Sequence, residues 1–327
     1  MDGKSILLTG GTGSFGKAFT KMVLKEYSPK VIRIFSRDEL KQSEMQREFN
    51  DNRLRFLLGD IRERDRLYRA MNGIDIVVHA AALKRIEFGE YNPFEFVSTN
   101  ILGAKNIIDA AIDSGVEKAI GISSDKACAP INLYGITKAC MEKLFTQANV
   151  YARKQTKFSC VRYGNVLASR GSVIGIFIEQ KKRGTLTITH PEMTRFFITL
   201  NEGTHFVANM LSLMRGGEVF IPRIPSTKII DLAEVIAPDC RKEFVGIRPG
   251  EKLHEVLITE DEARHTREFE DYFVICPEFP FWTEDTYWDL TGQPLPEGYR
   301  YSSDRNSWWI TKEKLKEIIN EYQEGKK

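Results

Sequence analysis

No stretch of this 327-residue chain approaches the roughly 18 consecutive apolar residues that a membrane-spanning helix needs, and the apolar run after Met1 is too short for a secretion signal. A cytoplasmic protein is expected. Cysteine is scarce: Cys128, Cys140, Cys160, Cys240 and Cys276 are odd in number and never in a CxxC spacing, which argues against a disulfide framework or a cysteine zinc site. Most of them are expected to be buried and inert. His79, His190, His205, His254 and His265 are equally scattered, with no pair at i, i+4, so no metal is expected. Charge of one sign is also missing, since 47 Lys+Arg against 45 Asp+Glu leaves +2, too little to select nucleic acid or an anionic membrane. An anionic ligand must therefore be held by local groups.

What is present is enough apolar material, 42% of residues, for one large core or two unequal lobes. Short β-branched runs alternate with helical patterns through the first half: Ser5-Ile6-Leu7-Leu8-Thr9, residues 31–35, 55–58, 75–79, 119–123 and 158–162 read as six strands. Between the first two, Phe15, Phe19, Met22 and Val23 share one face of a helix that should stop near Ser28-Pro29. This is the pattern of an α/β, Rossmann-type doubly wound parallel sheet. From about Gly171 the alternation loosens and Pro, Gly and charge become denser. Residues 1–168 are accordingly read as a dinucleotide-binding domain, rejoined by about 192–216, and 169–327 mainly as a smaller α+β substrate-binding lobe. Lys181-Lys182-Arg183 reads as a solvated helix end.

Between the first strand and first helix stand Gly10, Thr12, Gly13, Ser14, Phe15 and Gly16. Glycines there let a phosphate approach the backbone, and the helix N-terminus supplies N–H groups and partial positive charge. At the end of the second strand, where an NAD site would carry an acid on the ribose, the chain reads Ser36-Arg37-Asp38, with Lys41 on the next turn. Arg37 suits a 2′-phosphate, which favours NADP; Asp38 either caps the next helix or contacts the ribose, which would restore NAD. Asp60 and Ile61 are placed for the adenine edge, Asp60 being equally a cap for the helix beginning near Glu63. Ala80 and its small neighbours allow a nicotinamide to lie flat on the sheet.

Tyr134 and Lys138 lie four residues apart, on one face of a helix. A nearby cation and an oxidised nicotinamide favour the phenolate, which can take an alcohol proton while the adjacent carbon loses hydride. With TGGTGSFG, HAAALK, STNILG, YGITK and RYGNV in order, the whole chain resembles the extended short-chain dehydrogenase/reductase family. That resemblance implies Ser124 as the hydroxyl holding the substrate oxygen, an architectural role for Asn100, and Thr99 and Lys84 in the cofactor site.

Ser124-Asp125-Lys126 then narrows the reaction. Hydride transfer alone needs no additional acid and base, whereas dehydration does: beside a C4 ketone, Lys126 as base would remove the C5 proton and Asp125 as acid would protonate the departing C6 hydroxyl. The bland alternative is a polar loop capped by Asp125. SSDKA, MTRFF and RPGEKLHE resemble the soluble inverting UDP-N-acetylglucosamine 4,6-dehydratases, since related glucose and mannose enzymes pair the acid with glutamate. Arg85 departs from that pattern, where a histidine is usual. Implied by the same resemblance are a UDP-N-acetylglucosamine site built from Lys84, Asn165, Val166, Arg170, Val173, Thr187, Arg195, Arg248 and Glu251, a homo-oligomer, and a place in nonulosonic acid synthesis such as that of pseudaminic acid. Arg195 could instead make an internal ion pair. A UDP-sugar 4-epimerase and a non-catalytic NADP-sensing protein of the same fold remain the alternatives.

Overall fold

The computed structural model describes residues 1–152, 155–167, 172–280 and 287–324. Strand β1 (Ser5–Thr9), helix α1 (Ser14–Glu26), β2 (Val31–Ser36), α2 (Glu39–Phe49), β3 (Leu54–Leu58), α3 (Arg64–Met71) and β4 (Ile76–His79) alternate from the start. Short helices α4 (Ile86–Tyr91) and α5 (Pro93–Phe96) and a π-helical turn, Val97–Leu102, lead into α6 (Gly103–Asp113), β5 (Lys118–Ile122), α7 (Leu133–Gln147) and β6 (Lys157–Val161). Then come β7 (Asn165–Val166), α8 (Val173–Lys181), β8 (Thr185–Ile188), β9 (Thr194–Ile198), α9 (Leu200–Leu213), β10 (Val219–Pro222), β11 (Ser226–Lys228), α10 (Ile229–Ile236) and β12 (Arg241–Phe244). The remainder is β13 (Val256–Ile258), α11 (Glu260–Ala263), β14 (Thr266–Glu268), β15 (Tyr272–Ile275), α12 (Tyr287–Thr291), β16 (Gln293–Pro294), β17 (Tyr301–Ser302) and α13 (Lys312–Glu324).

β1 sits between β2 and β4, buried at all five positions, which is why it reads as an unbroken apolar run rather than an alternating one. The sheet order is β16-β14-β15-β10-β6-β5-β4-β1-β2-β3, parallel from β10 to β3. The chain builds outward from β1 through β2 and β3, then crosses to β4 on the other side. A crevice therefore opens at the carboxyl ends of β1 and β4, where sheets of this kind hold ligands. α1 buries Phe19, Met22 and Val23 against this sheet and stops at Glu26, before Pro29.

Two apolar cores result. The larger surrounds the sheet and includes Phe19, Phe35, Phe145, Phe158, Phe196, Phe220 and Phe273; the smaller gathers Leu167, Ile174, Phe177, Met193, Phe197, Leu232 and Ile318. Successive side chains of a strand face opposite ways, so β9 sends Phe196 into one core and Phe197 into the other. The strand lies at the seam of the two. A polar knot ties the C-terminal part to the sheet: buried Arg162, just past β6, donates to Glu142 of α7 at 2.6 and 3.0 Å, to Glu262 of α11 at 2.8 and 3.1 Å, and to the Leu257 carbonyl.

Lys181 ends α8, as its basic run suggested. The expectation for cysteine needs correcting, because only Cys128 and Cys160 are buried and the other three are half-buried. Cysteine's tolerance of either setting leaves no signature in the sequence. Among the described residues, no helix is long and apolar enough to cross a membrane.

Candidate active site

The turn from β1 into α1 leaves room for a phosphate because side chains are excluded from it. Gly10 has φ +66°, and a Cβ there would lie 2.8 Å from the Ala81 nitrogen; one at Gly16 would lie 2.3 Å from the Gly11 carbonyl oxygen. Gly13 precedes α1 without a capping side chain, and no acidic residue lies in the first turn, so neither would compete with an anion at the positive helix end. Thr12 is buried, and Phe15 stacks on Phe19 at 5.6 Å, fixing the first turn. The buried Thr99 hydroxyl has no protein partner. Ala80 and Ala81 follow β4 directly, half-buried against the large core. These residues suit a nicotinamide dinucleotide.

At the far end of the crevice, Asp38 caps α2 by accepting from the Lys41 backbone N–H, and also pairs with the Lys41 ammonium. Of its two possible roles, it therefore takes the cap. The Ser36 hydroxyl accepts from Gln42 at 3.0 Å. Arg37 is half exposed and lies 3.3 Å from Asp60. Asp60 does not cap α3, whose N-cap is Glu63; it accepts from the Arg62 backbone and guanidinium instead. Buried Ile61 packs against Gly103, where a Cβ would sit 2.7 Å away. Asn100 is architectural: its amide bonds both the N–H and the carbonyl of Leu83 at 2.9 Å and Thr137 at 3.0 Å.

Beyond β5 the chain makes a single tight turn, Asp125–Ala127, capped by Ser124 rather than Asp125. α7 is pressed against this turn so closely that a Cβ at Gly135 would lie 2.2 Å from the Lys126 carbonyl oxygen. That contact explains the glycine after Tyr134 and brings the phenol to the turn. Asp125 is fully buried. Its Oδ1 accepts from Ser124 at 2.9 Å and from the Lys126 ammonium at 3.0 Å, while Oδ2 has no partner. Lys126 also donates to Asn165 of β7 at 3.4 Å.

Burial pushes the Asp125 carboxyl above the usual carboxylate range, against the pull of Lys126 and with the help of Glu255. For Lys126 burial acts against the ammonium, but Asp125 and Glu255 overcome it and hold the group above the ordinary lysine range. Burial raises the Tyr134 phenol, with Lys126 and Ser124 working the other way. Of the charges around the phenol, Lys126 favours its ionisation and Asp125 opposes it. Lys138 donates to the Ile122 carbonyl at 2.5 Å, and burial lowers its ammonium to about 8. Lys84 is exposed as a residue, yet desolvation by the protein around it, with Arg85 and Lys126, lowers its ammonium too.

The expected substrate residues divide. Asn165 and Val166 lie beside Lys126 on β7. Val173 opens α8 against the small core, and Thr187 on β8 accepts from Gln180 at 2.6 Å. Arg195 takes the internal pair that its setting left open: buried on β9, it donates to the Thr194 and Leu253 carbonyls and lies 3.7 Å from Glu255. Arg248 is half exposed, 4.0 Å from Glu251. Arg170 lies outside the described residues.

Sequence reasoning missed Glu255, the last residue of RPGEKLHE, which is 2% exposed and 3.3 Å from the Lys126 ammonium. The same segment makes two further contacts, one just after the Asp125–Ala127 turn and one at the start of α7. Lys252 donates to the Cys128 carbonyl at 2.6 Å, and Asn132, the N-cap of α7, donates to the Gly250 carbonyl at 2.8 Å. Four charged residues in eight had been a local hint that the segment meets more than a substrate.

Residues 6–277 match the family described as polysaccharide biosynthesis protein. The UDP-N-acetylglucosamine 4,6-dehydratase (inverting) of Campylobacter jejuni subsp. jejuni serotype O:23/36 is 48% identical over 327 residues, covering 98% of each chain. A UDP-glucose 4-epimerase of Rickettsia conorii is 43% identical over 281 residues, 83% of this chain and 82% of that protein. Among solved structures, Pen from Bacillus thuringiensis superposes with a TM-score of 0.89 at 41% identity, covering 98% of both chains.

Proposed function

This chain belongs to the polysaccharide biosynthesis protein family, with the extended short-chain dehydrogenase/reductase fold, and from that premise we propose that it is a UDP-N-acetylglucosamine 4,6-dehydratase that inverts C5. The observation that carries this reading is the contact between buried Asp125 and half-buried Lys126, 3.0 Å apart and next to Tyr134. An epimerase moves hydride and one proton. It has no use for a second acid and base at this point.

A nicotinamide held in the crevice at β1 and β4 would supply the hydride chemistry, oxidation at C4 of the sugar and reduction at C6. Tyr134 takes the C4 hydroxyl proton, helped by Lys126, with Ser124 holding the oxygen. At rest Lys126 is an ammonium and cannot act as a base. Proton transfer along its 3.0 Å hydrogen bond to Asp125 makes a neutral amine and a neutral acid together, without solvent and without changing the net charge. The amine then takes the C5 proton, and Asp125 protonates the C6 hydroxyl as it leaves as water. Hydride return to C6 leaves an enolate that takes a solvent-derived proton at C5 from the opposite face, and Tyr134 returns the C4 proton to solvent.

Gly10, Gly13 and Gly16 hold the pyrophosphate at α1, with Thr12, Ser14, Phe15, Ala80 and Thr99 around the dinucleotide and Lys84 between nicotinamide and sugar. NADP is supported by Arg37 and Ser36 at the ribose end, and by Asp38 being occupied as a cap beside Lys41. Lys84, Arg248 and Glu251 suit the sugar diphosphate and ribose, with Asn165, Val166, Val173 and Thr187 along the same cleft. Arg195 serves Glu255 instead. A homo-oligomer is supported by the exposed Phe88, Tyr91 and Phe94 on α4 and α5. The family description supports a product destined for a surface glycan, such as one built from pseudaminic acid.

Mass spectrometry after incubation with UDP-N-acetylglucosamine tests the activity. A product lighter by one water is expected, with catalytic NADP restoring cofactor-stripped protein better than NAD. A product of unchanged mass with C4 inverted would make the protein an epimerase.

A further inference from the structure

Glu255 is a buried carboxylate that the reaction as written does not use. It lies at the seam of the two lobes. Its backbone is clamped, the N–H donating to the Ser303 hydroxyl at 2.9 Å and the carbonyl accepting from the Ser303 N–H at 2.8 Å. Its Oε1 faces the Lys126 ammonium at 3.3 Å and Arg195 at 3.7 Å, and its Oε2 faces Lys252 at 3.7 Å but accepts no hydrogen bond. A carboxylate needed only to neutralise Arg195 and Lys252 would not have to be the one that also meets Lys126. We propose that Glu255 is a positioning residue for the catalytic base, an ionic tether from the RPGEKLHE segment that holds the Lys126 nitrogen between Asp125 and Asn165.

This deepens the dehydratase reading and rests on it. A lysine side chain has four rotatable bonds; the ion pair to Glu255 confines it as an ammonium, and as a neutral amine it can still donate a hydrogen bond to the same carboxylate. Lys126 must stay aimed while it changes charge. Asp125 changes charge in the same step, so it cannot be the fixed anchor. Glu255 can, because Arg195 and Lys252, each 3.7 Å away, still face its carboxylate when Lys126 is neutral, and its carboxyl is held below the usual range against burial.

The other charged and titratable groups around Lys126 come from every side: Asp125 on its own turn, Lys84 after β4, Tyr134 on α7 and Arg195 on β9. Among them, Asp125 and Glu255 are the ones that hold the ammonium. The sign follows directly. The Asp125–Lys126 pair works while it keeps one proton, and the negative charge of Glu255 helps it keep that proton. Removing the charge lets the pair lose its proton at lower pH, so activity should fail earlier on the alkaline side.

The test is the pH profile of kcat for holoenzyme turning over UDP-N-acetylglucosamine, for wild type, Glu255→Gln and Glu255→Asp. For Glu255→Gln we expect kcat to fall about tenfold at neutral pH and the alkaline limb to move about one pH unit lower, with KM little changed. Glu255→Asp should restore the position of the limb. Loss of kcat with the limb in place, or an unchanged profile, would overturn the tether. If Glu255→Gln does not fold, Glu255→Asp carries the test, since its shortened reach must still lower kcat without raising KM; an unchanged kcat overturns the proposal. A wild type that releases no dehydrated product contradicts the enzyme reading itself, which separates that failure from failure of the tether.

Discussion

Replacing Asp125 with Asn is expected to cut formation of the dehydrated product by about a thousandfold, while the sugar still reduces the bound cofactor. Asn keeps the size of the side chain and can still accept from Ser124 and Lys126. It has no proton to give. The buried position and raised carboxyl of Asp125 suit a group that holds a proton until a leaving hydroxyl needs it. Hydride removal from C4 depends on Tyr134, so the two half-reactions should separate. The check is a rapid-mixing experiment that follows the absorbance of reduced nicotinamide beside a product assay. Reduction without product is the expected result; turnover within a few-fold of wild type would remove Asp125 from the chemistry.

The second large effect is on stability. Arg162→Met should destabilise the fold by about 3–5 kcal/mol, because it leaves the buried Glu142 and the half-buried Glu262 without their partner. Thermal melting should show it. The pH dependence identifies the cause. Burial raises the Glu262 carboxyl, but Arg162 more than reverses this and brings it to about 2. A depressed carboxyl stabilises the fold above its unfolded value, near 4.3, and that stabilisation is lost as pH falls towards the folded value. Wild type should therefore lose stability over this acid range and the variant should not. The gap between them should narrow from pH 7 to pH 3, and a gap independent of pH would contradict the account.

The parallel strands and the glycine turn were legible because each rests on a local pattern: an apolar run with neighbours on both sides, or glycines where backbone passes backbone. Asp125, Lys126 and Tyr134 could be singled out for a similar reason, since one tight turn and one helix N-terminus bring them together. The roles of Asp38 and Asp60 were harder. A carboxylate just before a helix looks the same whether it caps the helix, pairs with a neighbouring arginine or contacts a ribose, and only geometry separates Asp38 on Lys41 from Asp60 on Arg62. Glu255 and Arg162 were illegible as partners, because each meets groups brought in from distant parts of the chain. Such contacts leave no period or spacing behind. Arg195 shows the same limit: its burial against Glu255 depends on β9 lying at the seam, which neighbouring residues do not announce.

In the proposed reaction a buried acid and the half-buried amine beside it on one turn remove water across C5 and C6 and leave C5 inverted. This reaction is tested most directly by incubating the purified protein with UDP-N-acetylglucosamine in heavy water and examining the product by NMR. The account predicts a UDP-2-acetamido-2,6-dideoxy-4-hexulose carrying deuterium at C5 in the L-arabino configuration. Product with protium retained at C5, or with the starting configuration there, would contradict it.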